Sequence, residues 1–189
     1  AYGPGSALHD AALTGVISPL FFLSTLAGWL ENGKAALLLY FCHGAGAVIT
    51  SLCIKRPEML PGKNLPLSLP QCAEKAVFSL LQVGYYVMLG TVAARMLSCA
   101  LPGLPPKAAA FVQCLMEVCG GARQLLSHSP SLPLLSFVTS FGGLSILMQN
   151  FSLWKEKGVS ALSLLGVRLM HGAISFLLCF FLQNLPFIG

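Results

Sequence analysis

The sequence predicts an all-α polytopic membrane protein with about six hydrophobic segments, at least one of them a broken or re-entrant helix. Three observations carry this. Hydrophobic residues make up 56% of the 189 and charged residues 9%, against about 25% charged in soluble domains. The stretches 11–30, 35–54, 76–94 and 169–189 each lack formal charge, and roughly 20 apolar residues cross the hydrocarbon of a bilayer. Residues 124–154 contain no Asp, Glu, Lys or Arg, yet their middle reads Ser136-Phe-Val-Thr-Ser-Phe-Gly-Gly-Leu-Ser145.

Two adjacent glycines with the hydroxyls of Thr139, Ser140 and Ser145 are poor material for a lipid-facing helix. Backbone that leaves the helix inside a bilayer must be buried in protein or line a cavity. Gly-interrupted helices with free backbone dipoles are how many transporters build substrate sites. The run is expected to hold one span plus a break, or two half-spans, with 134–150 not a single continuous helix.

Residues 1–10, with two glycines and a proline, read as a loose lead, and 11–185 as one membrane domain. Segment 11–30 carries Gly15, Ser18 and Pro19 together. Proline removes a backbone donor and disfavours helix at the preceding residue. The segment is either broken there or a helix starting with Pro19 in its first turn. Glu31-Asn-Gly-Lys34 is a turn. Segment 35–54 is a span whose Gly44 and Gly46 allow close helix approach.

Residues 55–75 form the longest polar connection, with Lys55, Arg56, Lys63 and Lys75, and the positive-inside tendency makes it cytoplasmic. A long helix follows over 72–100. Leu101–Pro106 is a stop and turn, and 107–127 is a helix interrupted at Gly120-Gly121. Ser129–Pro133 separates it from 134–150, Lys155 and Lys157 mark a second basic turn, and 159–183 is the last span. If every segment crossed once, the two basic connections would lie on opposite faces. One non-crossing element between 101 and 154 removes that conflict.

The net charge of +5 comes from scattered residues, with no dense basic run to bind nucleic acid. The seven cysteines form no CxxC pair and read as reduced and structural, with no metal site or cofactor. No phosphate loop, nucleophile elbow or Ser-His-Asp order supports an enzyme. Ionisable residues inside spans are site candidates by default. Glu117 and Arg123 are expected to face the interior, either paired with each other or with Arg123 on an anionic substrate. Arg168 and His171 are three apart and share a helix face. His43 reads as a satisfied packing residue.

Ser18-Pro-Leu-Phe-Phe22, Leu115-Met-Glu-Val-Cys-Gly-Gly-Ala-Arg123, Ser140-Phe-Gly-Gly-Leu-Ser-Ile-Leu-Met-Gln149 and Arg168-Leu-Met-His171 resemble stretches of the YlbJ-type sporulation integral membrane proteins. These belong to the nucleoside-recognition (Gate) group, similar in architecture to concentrative nucleoside transporters. The resemblance covers about residues 11–183. It implies a multi-pass protein of the cell membrane, the outer forespore membrane in particular, moving the planar dianion dipicolinate into the developing spore. Arg side chains and helix N-termini suit such a ligand.

The candidate substrate-binding set is Ser18, Glu117, Arg123, Ser140, Gly142, Gly143, Ser145, Gln149, Arg168 and His171. The expected partners are the lipid bilayer, a small anionic metabolite, and either an upstream half of the same protein or further copies of the chain. The resemblance places the chain as a C-terminal half, which on that reading does not transport alone. Two other readings stay open: a non-transporting sporulation protein that organises an envelope complex, and a nucleoside transporter.

Overall fold

The computed structural model describes residues 4–54, 68–128 and 131–184, and every element among them is helical. The part of the basic connection from 55 to 67 lies outside them. So do Ser129 and Pro130.

The lead expected to be loose is helical from Pro4: α1 covers Pro4–Thr14. Its small residues Ala7 and Ala11 are buried against Leu147, Val159 and Leu164, which is what orders it. The chain leaves the helix over residues 15–18 and resumes at Pro19. Both readings of this segment therefore hold at once. The proline ring excludes helix at Ser18 and suits the first turn of the next helix. Ser18 Oγ accepts the Leu20 N–H at 3.2 Å. A π-helical turn over Phe21–Leu26 runs into α2 (Ala27–Leu30).

The turn expected at 31–34 forms with Glu31 left-handed, and the Asn32 side chain caps α3 (Gly33–Leu52) by accepting the Ala35 N–H at 3.1 Å. The next helix, α4 (Leu69–Ala100), starts at a capping box of Ser68 and Gln71. It is 32 residues long, about 48 Å at 1.5 Å per residue. Only Gly90 and Ala94 of α4 are buried; Phe78, Leu81, Met88, Val92 and Met96 point outward.

The interruption expected at Gly120-Gly121 falls at Glu117 instead, whose extended backbone (φ −144, ψ 119) separates α5 (Pro106–Met116) from α6 (Val118–Leu126). Gly121 has a packing role: a Cβ there would run into the backbone of Cys114, so its absence lets α6 lie close on α5. Residues 134–150 are broken as expected. Here α7 (Leu132–Phe141) gives way to α8 (Gly143–Trp154) through Gly142 and Gly143, at φ 83 and 75. A 3-10 turn over Lys155–Lys157 and left-handed Gly158 lead to α9 (Ala161–Leu182), capped by Ser160.

Among the described residues, four stretches are long and apolar enough to cross a membrane: α3, α4, 132–157 taken through its break, and α9. Segments 11–30 and 107–127 are cut into shorter pieces, α5 and α6 having 11 and 9 residues, about half the length of a span.

One apolar core joins Phe22, Leu26, Leu39, Cys42, Cys114, Leu125, Leu135, Val138 and Cys179, drawn from the π turn, α3, α5, α6, α7 and α9. A second joins α1, α8 and the start of α9. The candidate site is the polar seam along α9, where Arg168, His171 and Ser175 meet α3, α7 and the break after α1.

Candidate functional site

Arg168, His171 and Ser175 stand at i, i+3 and i+7 on α9, so they share one face, and all three are buried. Opposite them on α3 is His43, 1% exposed. His171 Nε2 lies 2.8 Å from the carbonyl oxygen of His43. A carbonyl only accepts, so Nε2 carries the proton. His43 Nε2 lies 3.0 Å from the backbone nitrogen of Ile17, which donates, and His43 Nδ1 is 2.9 Å from Ser140 Oγ. His43 Nε2 is therefore an acceptor, and the neutral ring donates from Nδ1 to Ser140. The two rings lie 4.8 Å apart, and the Phe22 ring lies 5.0 Å from that of His43.

Two hydroxyls extend this seam. Ser175 Oγ donates to the Cys42 carbonyl at 3.2 Å, and Ser136 Oγ donates to the Ser175 carbonyl at 3.0 Å. Gly46 makes the crossing possible, since a Cβ there would collide with Ser175 Oγ and lie 3.1 Å from His171 Cδ2. Gly44, expected to share this role, faces open space.

Arg168 ties the seam to the first break. Its Nη2 donates to the carbonyl of Gly15, and a Cβ on Gly15 would press on the guanidinium. The side chain is 2% exposed. No carboxylate among the described residues pairs with Arg168. A hydrogen bond to a charged group returns about 1.5–3 kcal/mol, whereas a buried charge left without its countercharge costs about 3–5. The Gly15 carbonyl alone does not balance the cation. Arg168 Nε and His171 Nδ1 also lack a hydrogen-bond partner among the described residues.

Glu117 belongs to a different centre. Its two carboxylate oxygens accept the N–H groups of Cys119 and Gly120, each at 2.7 Å, so it is the N-cap of α6. Arg123 is exposed, near the last turn of α6, and forms no pair with Glu117. The expectation that both face the interior is met by Glu117 and corrected for Arg123. The cap disposes of the carboxylate charge locally, and Arg123 is left to reach outward. The two centres adjoin at the second break. A Cβ on Gly143 would lie 2.8 Å from the Cys114 carbonyl, and one on Gly90 would lie 3.0 Å from Ser145 Cβ and 3.2 Å from Glu117 Cβ. Ser145 Oγ is buried without a hydrogen-bond partner among the described residues.

The ten candidates thus separate. Ser140, Arg168 and His171 meet in the seam. Glu117, Gly143 and Ser145 meet at the junction of α4, α5 and α8, with Gly142 shaping the break. Ser18 and Arg123 are exposed, and Gln149 is half-buried. Sequence reasoning missed His43, Ser136 and Ser175 as site residues. The spacing of Arg168, His171 and Ser175 was a readable signal for Ser175; His43 looks like any lone histidine in an apolar span. The seven cysteines are all free, and no group of three His, Cys, Asp or Glu among the described residues is placed to hold a metal ion.

Compared with protein-family models, curated proteins and solved structures, the chain matches none. Fold and site define a class, a helical multi-pass membrane protein with a buried Arg–His–His seam at a helix break.

Proposed function

We propose that this chain is a YlbJ-type sporulation membrane protein that passes a small anionic metabolite, dipicolinate, into the developing spore. The observation that carries this reading is Arg168, a buried cation with no acidic partner among the described residues, held at the carbonyl end of a broken helix. A bound carboxylate supplies the missing countercharge and makes charge-assisted hydrogen bonds to the guanidinium. A nucleoside is neutral and leaves that charge unbalanced. A protein that only organises an envelope complex has no use for it.

The test is thermal unfolding of the purified chain in detergent, with pyridine-2,6-dicarboxylate, its neutral diamide, or uridine. Stabilisation by the dicarboxylate alone is expected, about 2.7 kcal/mol at a hundredfold excess over Kd, and it should vanish in Arg168→Gln. Stabilisation by uridine instead would move the reading to nucleosides. No response to the dicarboxylate would remove the reading that this anion binds at Arg168.

A further inference from the structure

Two polar atoms on α9 that have no hydrogen-bond partner among the described residues set the chemistry of what binds. Arg168 Nε is a donor and His171 Nδ1 an acceptor; both are buried, on side chains 2% and 1% exposed. They stand one turn apart on the same helix face. A fully ionised carboxylate satisfies the donor and leaves the acceptor bare. A carboxylate that arrives together with a proton satisfies both.

We infer that the Arg168–His171 pair is a site for a carboxylate and one proton bound together, the proton held on His171 Nδ1. This rests on the anion reading of Arg168 above and adds the proton. A proton on Nδ1 of the free protein has no acceptor among the described residues and puts a second positive charge one turn from Arg168. A bound carboxylate supplies both the acceptor and the countercharge, so each ligand favours the other, and the coupling is reciprocal. The proton comes from water, and no covalent bond changes.

The neighbours leave His171 as the acceptor. On α9 itself, Arg168 is cationic and Cys179 lies two turns further on. From α3 comes His43, whose Nε2 already accepts the Ile17 N–H and whose Nδ1 is engaged with Ser140; Cys42 lies beside it. Neither α7 nor α8 carries an Asp, Glu, Lys, Arg or His. From α1 come His9 and Asp10, which pair with each other at 3.4 Å.

The experiment is calorimetric titration of the purified chain in detergent with pyridine-2,6-dicarboxylate, at a pH where the ligand is fully ionised, in two buffers of different ionisation enthalpy. The heat difference counts the protons taken up. About one proton per ligand is expected, with Kd weakening about tenfold per pH unit as pH rises. His171→Gln keeps an amide N–H for the His43 carbonyl but has no acceptor at the Nδ1 position. It should bind the dicarboxylate with no proton uptake and a flat pH profile. Binding by the unsubstituted protein without proton uptake would overturn the inference and leave the anion site standing. Uptake unchanged in His171→Gln would place the proton elsewhere and also overturn it. Absence of binding would remove the anion reading and the inference together. The proton count on the unsubstituted protein decides the matter even if the variant does not fold.

Discussion

His43 accepts the backbone N–H of Ile17 at 3.0 Å and meets Ser140 Oγ at 2.9 Å, so one imidazole joins the break after α1 to the last turn of α7. The N–H of Ile17 has left the helix and has no carbonyl to reach. In a buried, water-poor setting such a donor must find a partner. A histidine on a neighbouring helix supplies it, and the break is thereby anchored.

Replacing His43 should therefore cost more than a packing change. His43→Ala strands the Ile17 donor and opens a cavity, and is expected to destabilise by about 2–4 kcal/mol. His43→Gln can keep one of the two bonds and should cost less. Unfolding in mixed micelles reads the order; equal losses for both would mean that the bonds contribute little.

The second break should respond to side chains at its two glycines unequally. Both have positive φ, 83 at Gly142 and 75 at Gly143, where an L residue costs about 1–2 kcal/mol. A Cβ at Gly142 meets the flexible side chain of Ile146 at 3.2 Å, whereas one at Gly143 meets the Cys114 carbonyl at 2.8 Å. Gly143→Ala should be clearly the worse of the two. The comparison is the difference in unfolding free energy between the two alanine variants.

The helix crossing at Gly46 offers an internal control. Gly46→Ala drives a methyl into Ser175 and His171 and should destabilise despite alanine's better helix propensity. Gly44→Ala has nothing within 4 Å to meet and should gain up to about 1 kcal/mol from that propensity. Opposite signs two residues apart are the expected result. If both variants are stabilised, α3 and α9 do not approach at Gly46.

Glu117 and Arg123 should behave independently. Glu117→Ala uncaps α6 and is expected to cost about 1–2 kcal/mol. Arg123→Ala, at an exposed position, should stay within about 0.5 kcal/mol of the parent. The double variant should show additive losses. A coupling energy near 1 kcal/mol in the double-mutant cycle would restore the ion pair that the geometry denies.

Much of this was legible in the residues. The break at 15–18 follows from Pro19, because the ring's clash with the preceding residue acts locally. The break at Gly142-Gly143 follows from two residues that adopt positive φ without steric cost, set in an uncharged run. The other glycine pair misled. Gly120 and Gly121 lie inside α6, and the interruption sits at Glu117, whose carboxylate can cap the next helix from one position upstream. Nothing in a linear reading separates a glycine that bends the chain from one that lets two helices touch.

By itself the sequence determined the apolar, all-helical class, the long apolar helices that contain 76–94 and most of 35–54 and 169–189, and the breaks before Pro19 and at Gly142-Gly143, whereas 11–30, read as long enough to span, is cut into shorter pieces. These rest on hydropathy and local sterics, which act over a few residues. Only the tertiary structure decided that Gly15, His43, Ser140, Arg168 and His171 converge, that Glu117 spends its charge on a helix N-terminus, and that Arg123 lies outside. Those outcomes depend on which helix faces pack together, and that is set by contacts such as Gly46 on Ser175 and Gly172 on Phe137, more than 30 residues apart along the chain in each case.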